Sequence, residues 1–341
     1  MNKKLLCSTA LAGALIVSGS ALAELKIGGN VTHTTTFGKD DSSSTATGSA
    51  ERLGTEMNLT LSSKQDLKNG MYMSYKANIE FDSAGTTTPD VEYEIQLGQG
   101  NFYIAAGSDA GNNISSSPTL PAVGYHVGSL AQNISTRDPL NYDGLLNAGE
   151  VNNPSHLSLN YKVAGGTASV LWSPNVTEDD NDAARLNTSG GASRIGYIYQ
   201  GSPVPNVNVI IGRSVESADT DVSSGEKTND KAGISYNFGQ FQAGYEYQKY
   251  STGNDSAEEK ANNFAVTFKA SDSVTLGIQH SRTKDEKTAG ALTEKLTAIS
   301  AGYNLGPASI AVSLVDGDNV GGTTTSGVDH QGIVITTKMG F

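Results

Sequence analysis

Along most of this chain, apolar and polar side chains alternate one for one. In "GMYMSYKANIEFD", Met71, Met73, Tyr75, Ala77, Ile79 and Phe81 fall on one face, and Tyr72, Ser74, Lys76, Asn78, Glu80 and Asp82 on the other. "ERLGTEMNLTL" sets Leu53, Met57, Leu59 and Leu61 against Arg52, Glu56, Asn58 and Thr60 in the same way. A period of two is the signature of a half-buried strand, and no long stretch shows a helical period. The pattern recurs in "VEYEIQL", "NFYIAAG", "SHLSLNYKV", "TASVLW", "RIGYIYQ", "NVNVIIG", "AGISYNF", "FQAGYEYQKY", "NNFAVTFK", "SVTLGIQHS", "LTAISAGYNL", "ASIAVSLV" and "GIVITTKMGF". With "LKIGGNVTHTTTF" at the start, about sixteen strands are predicted, each near the length that crosses a bilayer when tilted.

The connections alternate too. "SSKQDLKNG", "GQG", "AGG", "NFGQ", "ASDS" and "LGPA" are short, whereas 38–50, 82–90, 174–192, 217–227, 251–261, 284–293 and 317–328 are long and polar. Short turns on one rim and long loops on the other are how a transmembrane barrel is built. The longest connection, 108–154, follows the fifth strand and is too varied in sequence for a flexible linker. A long loop in a compact fold is usually functional.

The facing sets differ in kind. One carries Leu, Ile, Val, Tyr, Phe and Met; the other carries charge, amide, hydroxyl and glycine. A sandwich core would bury some of Arg52, Lys76, Glu80, Glu92 and Glu94, at a high cost. A wide barrel turns them to water in its bore and its apolar set to lipid. Phe37, Phe81, Trp172, Tyr199, Phe238, Tyr247, Tyr303 and Phe341 fall near strand ends, where rings prefer the lipid–water boundary. The expected fold is therefore all-β: a transmembrane antiparallel barrel of about sixteen strands, with a long infolded loop after strand five.

Composition adds to this. Mean hydropathy is −0.31, which a spanning barrel shares with soluble proteins because only alternate residues meet lipid. The opening "MNKKLLCSTALAGALIVSGSALAELK" has Lys3 and Lys4, an apolar run from Leu5 to Val17, and Ala21-Leu22-Ala23. These are the parts of a secretory signal, with cleavage expected after Ala23 and a barrel domain over 24–341. Cys7 is the only cysteine and lies inside that segment, so the exported chain would hold no disulfide. Removing Lys3 and Lys4 leaves 21 basic against 35 acidic residues, a net −14. Nucleic acid is not an expected partner of so acidic a chain.

The opening "ELKIGGNV", the run "ERLGTEMNLTLSSKQDLKNGMYMSYKANIEF", the pair "VEYEIQLGQGNFYIAAG" and the terminal "KMGF" resemble the general diffusion porins of Gram-negative outer membranes. The resemblance implies a sixteen-stranded barrel, usually a homotrimer, with the long loop folded inward to narrow the lumen. It implies that Phe341 is read by the barrel-insertion machinery. In that family, basic wall residues face acidic residues on the infolded loop. Arg52 matches the strand-two arginine in "RLG", and Arg137 is a candidate second. Asp138 and Asp143 are candidate loop acids. Glu92 and Glu94 depart from the pattern, since a basic residue is common on that fourth strand.

Motifs for nucleotide, dinucleotide, zinc-protease or serine-hydrolase chemistry are missing, and His33, His126, His156, His280 and His330 show no ligand spacing. No enzyme and no cofactor are expected. The acidic runs "TEDDND" (177–182) and "DGDN" (316–319) could offer oxygen ligands to Ca²⁺ at external loops. The expected function is passive diffusion of small hydrophilic solutes and ions, mildly cation-selective. The pore-lining residues expected are Arg52, Lys76, Glu80, Glu92, Glu94, Arg137, Asp138 and Asp143. A substrate-selective channel and an exported non-channel β protein are the alternatives; only Tyr72 and Tyr103 among inward positions could start an aromatic slide.

Overall fold

The computed structural model describes residues 25–42, 48–82, 90–107, 119–134, 156–173, 193–216, 226–251, 258–322 and 328–341. Sixteen strands close into one antiparallel barrel, each bonded to its neighbours in sequence, with the last strand returning to the first. They are β1 (Lys26–Ser42), β2 (Gly48–Asp66), β3 (Met71–Asp82), β4 (Asp90–Gln99), β5 (Phe102–Gly107), β6 (His156–Val163), β7 (Gly166–Ser173) and β8 (Arg194–Val204). The second half comprises β9 (Val207–Glu216), β10 (Lys227–Phe238), β11 (Phe241–Ser251), β12 (Glu258–Lys269), β13 (Val274–Asp285), β14 (Glu294–Asn304), β15 (Ala308–Val320) and β16 (Val328–Gly340). Among the described residues of the connection between β5 and β6 lies a helix, α1 (Val127–Ile134).

Closure is what makes such a sheet viable in lipid. An open edge would leave a row of backbone groups with no partner, and hydrocarbon supplies none. Here Phe37 of β1 pairs with Ile333 of β16 on one side and Glu51 of β2 on the other. Beyond β16, Phe341 and Gly29 exchange both backbone bonds at 3.1 Å. Gly29 is required at that seam. A Cβ there would lie 2.3 Å from the Asn58 carbonyl oxygen and 2.7 Å from the Phe341 ring.

The pleat sorts the two faces as the alternation predicts. Leu53, Trp172, Ile211, Phe264, Ile299 and Leu314 all point outward and are exposed on the lone chain. Tyr236, Phe238, Phe241 and Phe268 stack in sequence around the short-turn rim, with centroids 5.9, 5.5 and 4.7 Å apart. Several boundaries differ from expectation: β1 runs on to Ser42, β2 starts at Gly48 and β12 at Glu258, inside stretches expected as long connections. β2 runs through "SSKQD" to Asp66, since Ser62–Asp66 continue the ladder with Tyr72–Lys76. β15 likewise runs through "DGDN" to Val320, so Asp316 and Asp318 stand on a strand rather than in an external loop. Polar strand ends that rise above the lipid look like loop in sequence. The turn at Ala164 and Gly165 has φ of 48° and 71°, the two left-handed residues that a tight hairpin needs.

Candidate functional site: the lumen and its infolded segment

Residues 119–134 lie inside the barrel, against the inner wall. They begin at β10 and β11, where the Thr119 hydroxyl donates to Glu246 at 3.3 Å. Glu246 is also paired with Lys231 at 3.3 Å, and both side chains are almost wholly buried. Next, Val123 sits between β13 and β14. A Cβ at Gly277 would approach its Cγ2 to 2.9 Å, and one at Gly302 its Cγ1 to 2.8 Å. Gly233 and Gly244 make similar room for Thr119 and for Leu120 and Pro121. A track of inward glycines thus seats the segment.

Gln279 of β13 anchors the following turn from both ends of its amide. Its Nε2 donates to the Tyr125 carbonyl at 3.0 Å, and its Oε1 accepts from the Val127 backbone at 3.1 Å. The Tyr125 hydroxyl bonds Thr34 of β1. α1 then continues along the wall. Val127, Leu130 and Ala131 pack on Leu296, Ala298, Val315, Val320 and Val334 from β14, β15 and β16. These wall residues point into the barrel, so an apolar patch that would otherwise face water is covered by the helix. Burial lowers the pKa of His126 from its ordinary value; nearby Glu246 opposes that shift and nearby Lys231 adds to it.

The wall beside this segment, beyond β1, is lined differently. On β2, β3 and β4 the inward positions include Arg52, Glu56, Lys76, Glu80, Glu92 and Glu94. Arg52 is exposed to the bore, Lys76, Glu80 and Glu92 are half-buried, and Glu94 is 9% exposed. Lys76 faces Glu94 across the strands, and Asn78 faces Glu92. The wall is knitted by side-chain bonds. Glu56 accepts from Asn58, which accepts from Asn78 at 2.9 Å; Glu94 accepts from Gln96, which accepts from Ser74 at 3.2 Å. Such bonds hold the carboxylates in place against the wall. Arg137, Asp138 and Asp143 lie outside the described residues, as do residues 1–23 and the run at 177–182.

Several groups were not legible as site residues. Glu56 has the same phase as Arg52 and stands near Tyr125, as Glu80 does. Deep in the opposite wall, Arg194 and Lys227 both pair with Glu216, the lysine at 2.7 Å. The glycine track had a sequence signal in Gly233, Gly244, Gly277 and Gly302, all at inward phase. Among the described residues, no group of three His, Cys, Asp or Glu could hold a metal ion. Asp316 accepts from Gln331 at 3.0 Å, and Asp318 is 4.0 Å from Lys295.

An apolar exterior, a polar and charged bore, sixteen closed strands and a segment folded into the lumen define a transmembrane β-barrel pore. A family model described as Gram-negative porin matches residues 8–336, and the chain belongs to that family. Solved structures agree on the fold. A double mutant of Rh. blastica porin is 12% identical with a TM-score of 0.59, covering 93% of this chain and 100% of that one. A triple mutant of Rhodopseudomonas blastica porin is 12% identical with a TM-score of 0.58, over 93% of this chain and 100% of that one. A five-substitution mutant of Rh. blastica porin gives 10% and 0.57 over the same shares. No curated protein sequence matches.

Proposed function

We propose that this porin is a general diffusion channel of the outer membrane, passing small hydrophilic solutes and ions with a mild preference for cations. One observation carries the preference. The wall left open by the infolded segment bears Glu56, Glu80, Glu92 and Glu94 against Arg52 and Lys76. Fixed charge on a pore wall concentrates counter-ions in the bore and sets which sign crosses more easily. Residues 108–154 act as the constriction, with Arg137, Asp138 and Asp143 as further candidate charges on it. Residues 1–23 serve as the cleaved export signal, and Phe341 as the signal to the insertion machinery.

The partner in the membrane is a second and third copy. On the outer face of β1, β2 and β16, the His33 ring lies 2.9 Å from the Thr55 hydroxyl and 3.4 Å from that of Thr35. Thr337 stands directly opposite His33. Val31, Met57 and Met339 flank this polar spot on one side, Leu53 and Ile335 on the other. Polar side chains within a lipid-facing belt are costly and favour burial against protein. Trimer contact through this face removes them from lipid.

Reversal potentials across a KCl gradient test the selectivity. The parent protein is expected to favour K⁺, and replacing Glu92 and Glu94 together with Gln should reduce that preference. Anion preference in the parent, or no change in the double variant, would remove these residues from the permeation path.

A further inference from the structure

Next to the short turns, the inner wall of β2–β6 changes character. Asp66, Tyr72, Gly98, Tyr103 and Asn160 form one inward row, each the direct cross-strand partner of the next. Along β4 this row lies beyond Glu92 and Glu94, on their short-turn side. Tyr72 and Tyr103 are half-buried in the wall. Around them the inward positions are amides and hydroxyls: Ser74 opposite Gln96, and Asn160 opposite Ser169. Two aromatic rings set among such groups are the usual lining of a site for a ring-shaped polar solute.

Both rings are held in place. A Cβ at Gly98 would come within 2.5 Å of the Tyr72 Cζ and 2.6 Å of its hydroxyl, so the missing side chain is what lets that ring rest on β4. The Tyr103 hydroxyl is bonded to Thr167 of β7, which carries its ring across β6. A lysine stands over each ring. Lys64 Nζ is 4.8 Å from the Tyr72 centroid, and Lys162 Nζ is 5.9 Å from the Tyr103 centroid. Lys64 shares its charge with Asp66 at 3.6 Å. Lys162 is exposed and makes no ion pair among the described residues. Glu94 stands near Tyr103 from the β4 side, so an anion lying on these rings is driven toward β6 and Lys162.

We propose that Tyr72, Tyr103, Lys64 and Lys162 form a binding site in the lumen for sugar acids, pyranose rings that bear a carboxylate. The C–H face of a pyranose is apolar and stacks on a tyrosine ring, while its hydroxyls meet the amides and hydroxyls around the two rings. Lys162 takes the carboxylate, because no acid competes for it and a charge-assisted bond is the stronger kind. Lys64, partly committed to Asp66, donates to hydroxyls at the other end of the sugar. Both stems are flexible, so each ammonium swings from ring face to ring edge as the sugar settles, at the small cost of an exposed cation–π contact. The acidic wall disfavours anions in general; this site offsets that for one class of them. The inference rests on the water-filled bore proposed above and adds a solute class to it.

The test is saturation-transfer NMR of the refolded protein in detergent, titrated with glucuronate, glucose, the open-chain acid gluconate, or benzoate. Glucuronate is expected to bind most tightly, with glucose weaker by about two- to fivefold, the worth of one exposed ion pair. Lys162→Gln should bring glucuronate down to the level of glucose, and Lys162→Arg should retain the difference. Tyr72→Ala/Tyr103→Ala should weaken both sugars by about tenfold or more, since each ring loses a stacking partner. If that variant does not refold, Gly98→Ala is read in its place, with a loss of about two- to fivefold expected as the Tyr72 ring is displaced. Lys269→Gln, on β12, should change nothing. Planar-bilayer conductance of the same samples reports on the pore separately: protein that binds glucuronate and passes no current contradicts the channel and not this site. Equal binding of glucose and glucuronate by the parent, unchanged affinity in Lys162→Gln or in the ring variants, or tighter binding of benzoate than of glucuronate would overturn the proposal.

Discussion

Val123 is held between two wall glycines, and adding two methyl groups to the wall should dislodge it. Its two γ-methyls each face a glycine, so a Cβ at Gly277 would sit 2.9 Å from one and a Cβ at Gly302 2.8 Å from the other. Ordinary carbon–carbon contact begins at about 3.5 Å, so each falls short by about 0.6 Å or more. Rotating a β-branched side chain to relieve one contact drives it into the other. Overpacking of this kind costs about 1–3 kcal/mol per site, which shifts the docked population by about 5- to 150-fold for one substitution. The barrel ladder does not involve Val123, so Gly277→Ala/Gly302→Ala should still run as a heat-modifiable band in SDS. Single-channel recording should show strongly increased open-channel noise, as the segment leaves the wall and returns. Val123→Ala in that background should quiet it. The Val123 Cβ is 3.5 Å from the Cβ position at Gly277, an ordinary contact, once the methyls are gone. Parental noise in the double variant, or noise that Val123→Ala does not reduce, would refute the docking account.

Two further outcomes follow from the same segment. Glu246→Gln leaves buried Lys231 without its carboxylate, which should lower stability by about 3–5 kcal/mol; urea titration of the folded band should show it, and Lys231→Met added to it should restore part of the loss. His126 is docked in its neutral form because burial lowers its pKa from 6.5, with Glu246 and Lys231 the charged groups facing it. The undocked imidazole then binds a proton more readily, so docking is fully stable above about pH 6.5 and weakens as pH falls below that value. Channel noise should rise between about pH 7 and 5, and His126→Gln should remove that rise.

The strand faces were legible in the sequence because the period of two is a local property of the chain. Met71 to Phe81, for instance, assign themselves to lipid without any knowledge of their neighbours. Closure of β1 on β16 was legible only indirectly, through strand number and the placing of short turns. The inner wall divides more unevenly. Arg52, Lys76, Glu80, Glu92 and Glu94 could be placed by phase alone. What the sequence could not show is which inward residues remain open to the bore. Leu296, Val315 and Val334 have the phase of lumen residues, and only the fold reveals that α1 covers them. The pairs Lys231–Glu246 and Arg194–Glu216 join different strands, and nothing local in either strand announces its partner. Gly277 and Gly302 are 25 positions apart in numbering, and their shared purpose emerges when Val123 is found between them.

The central claim is that alternate side chains meet lipid outside and water within a closed wall. Planar-bilayer recording of the refolded chain tests it most directly. Discrete, ohmic current steps, grouped in threes as the proposed trimer requires, are the predicted result. Folded protein that inserts into the bilayer and passes no ions would contradict it.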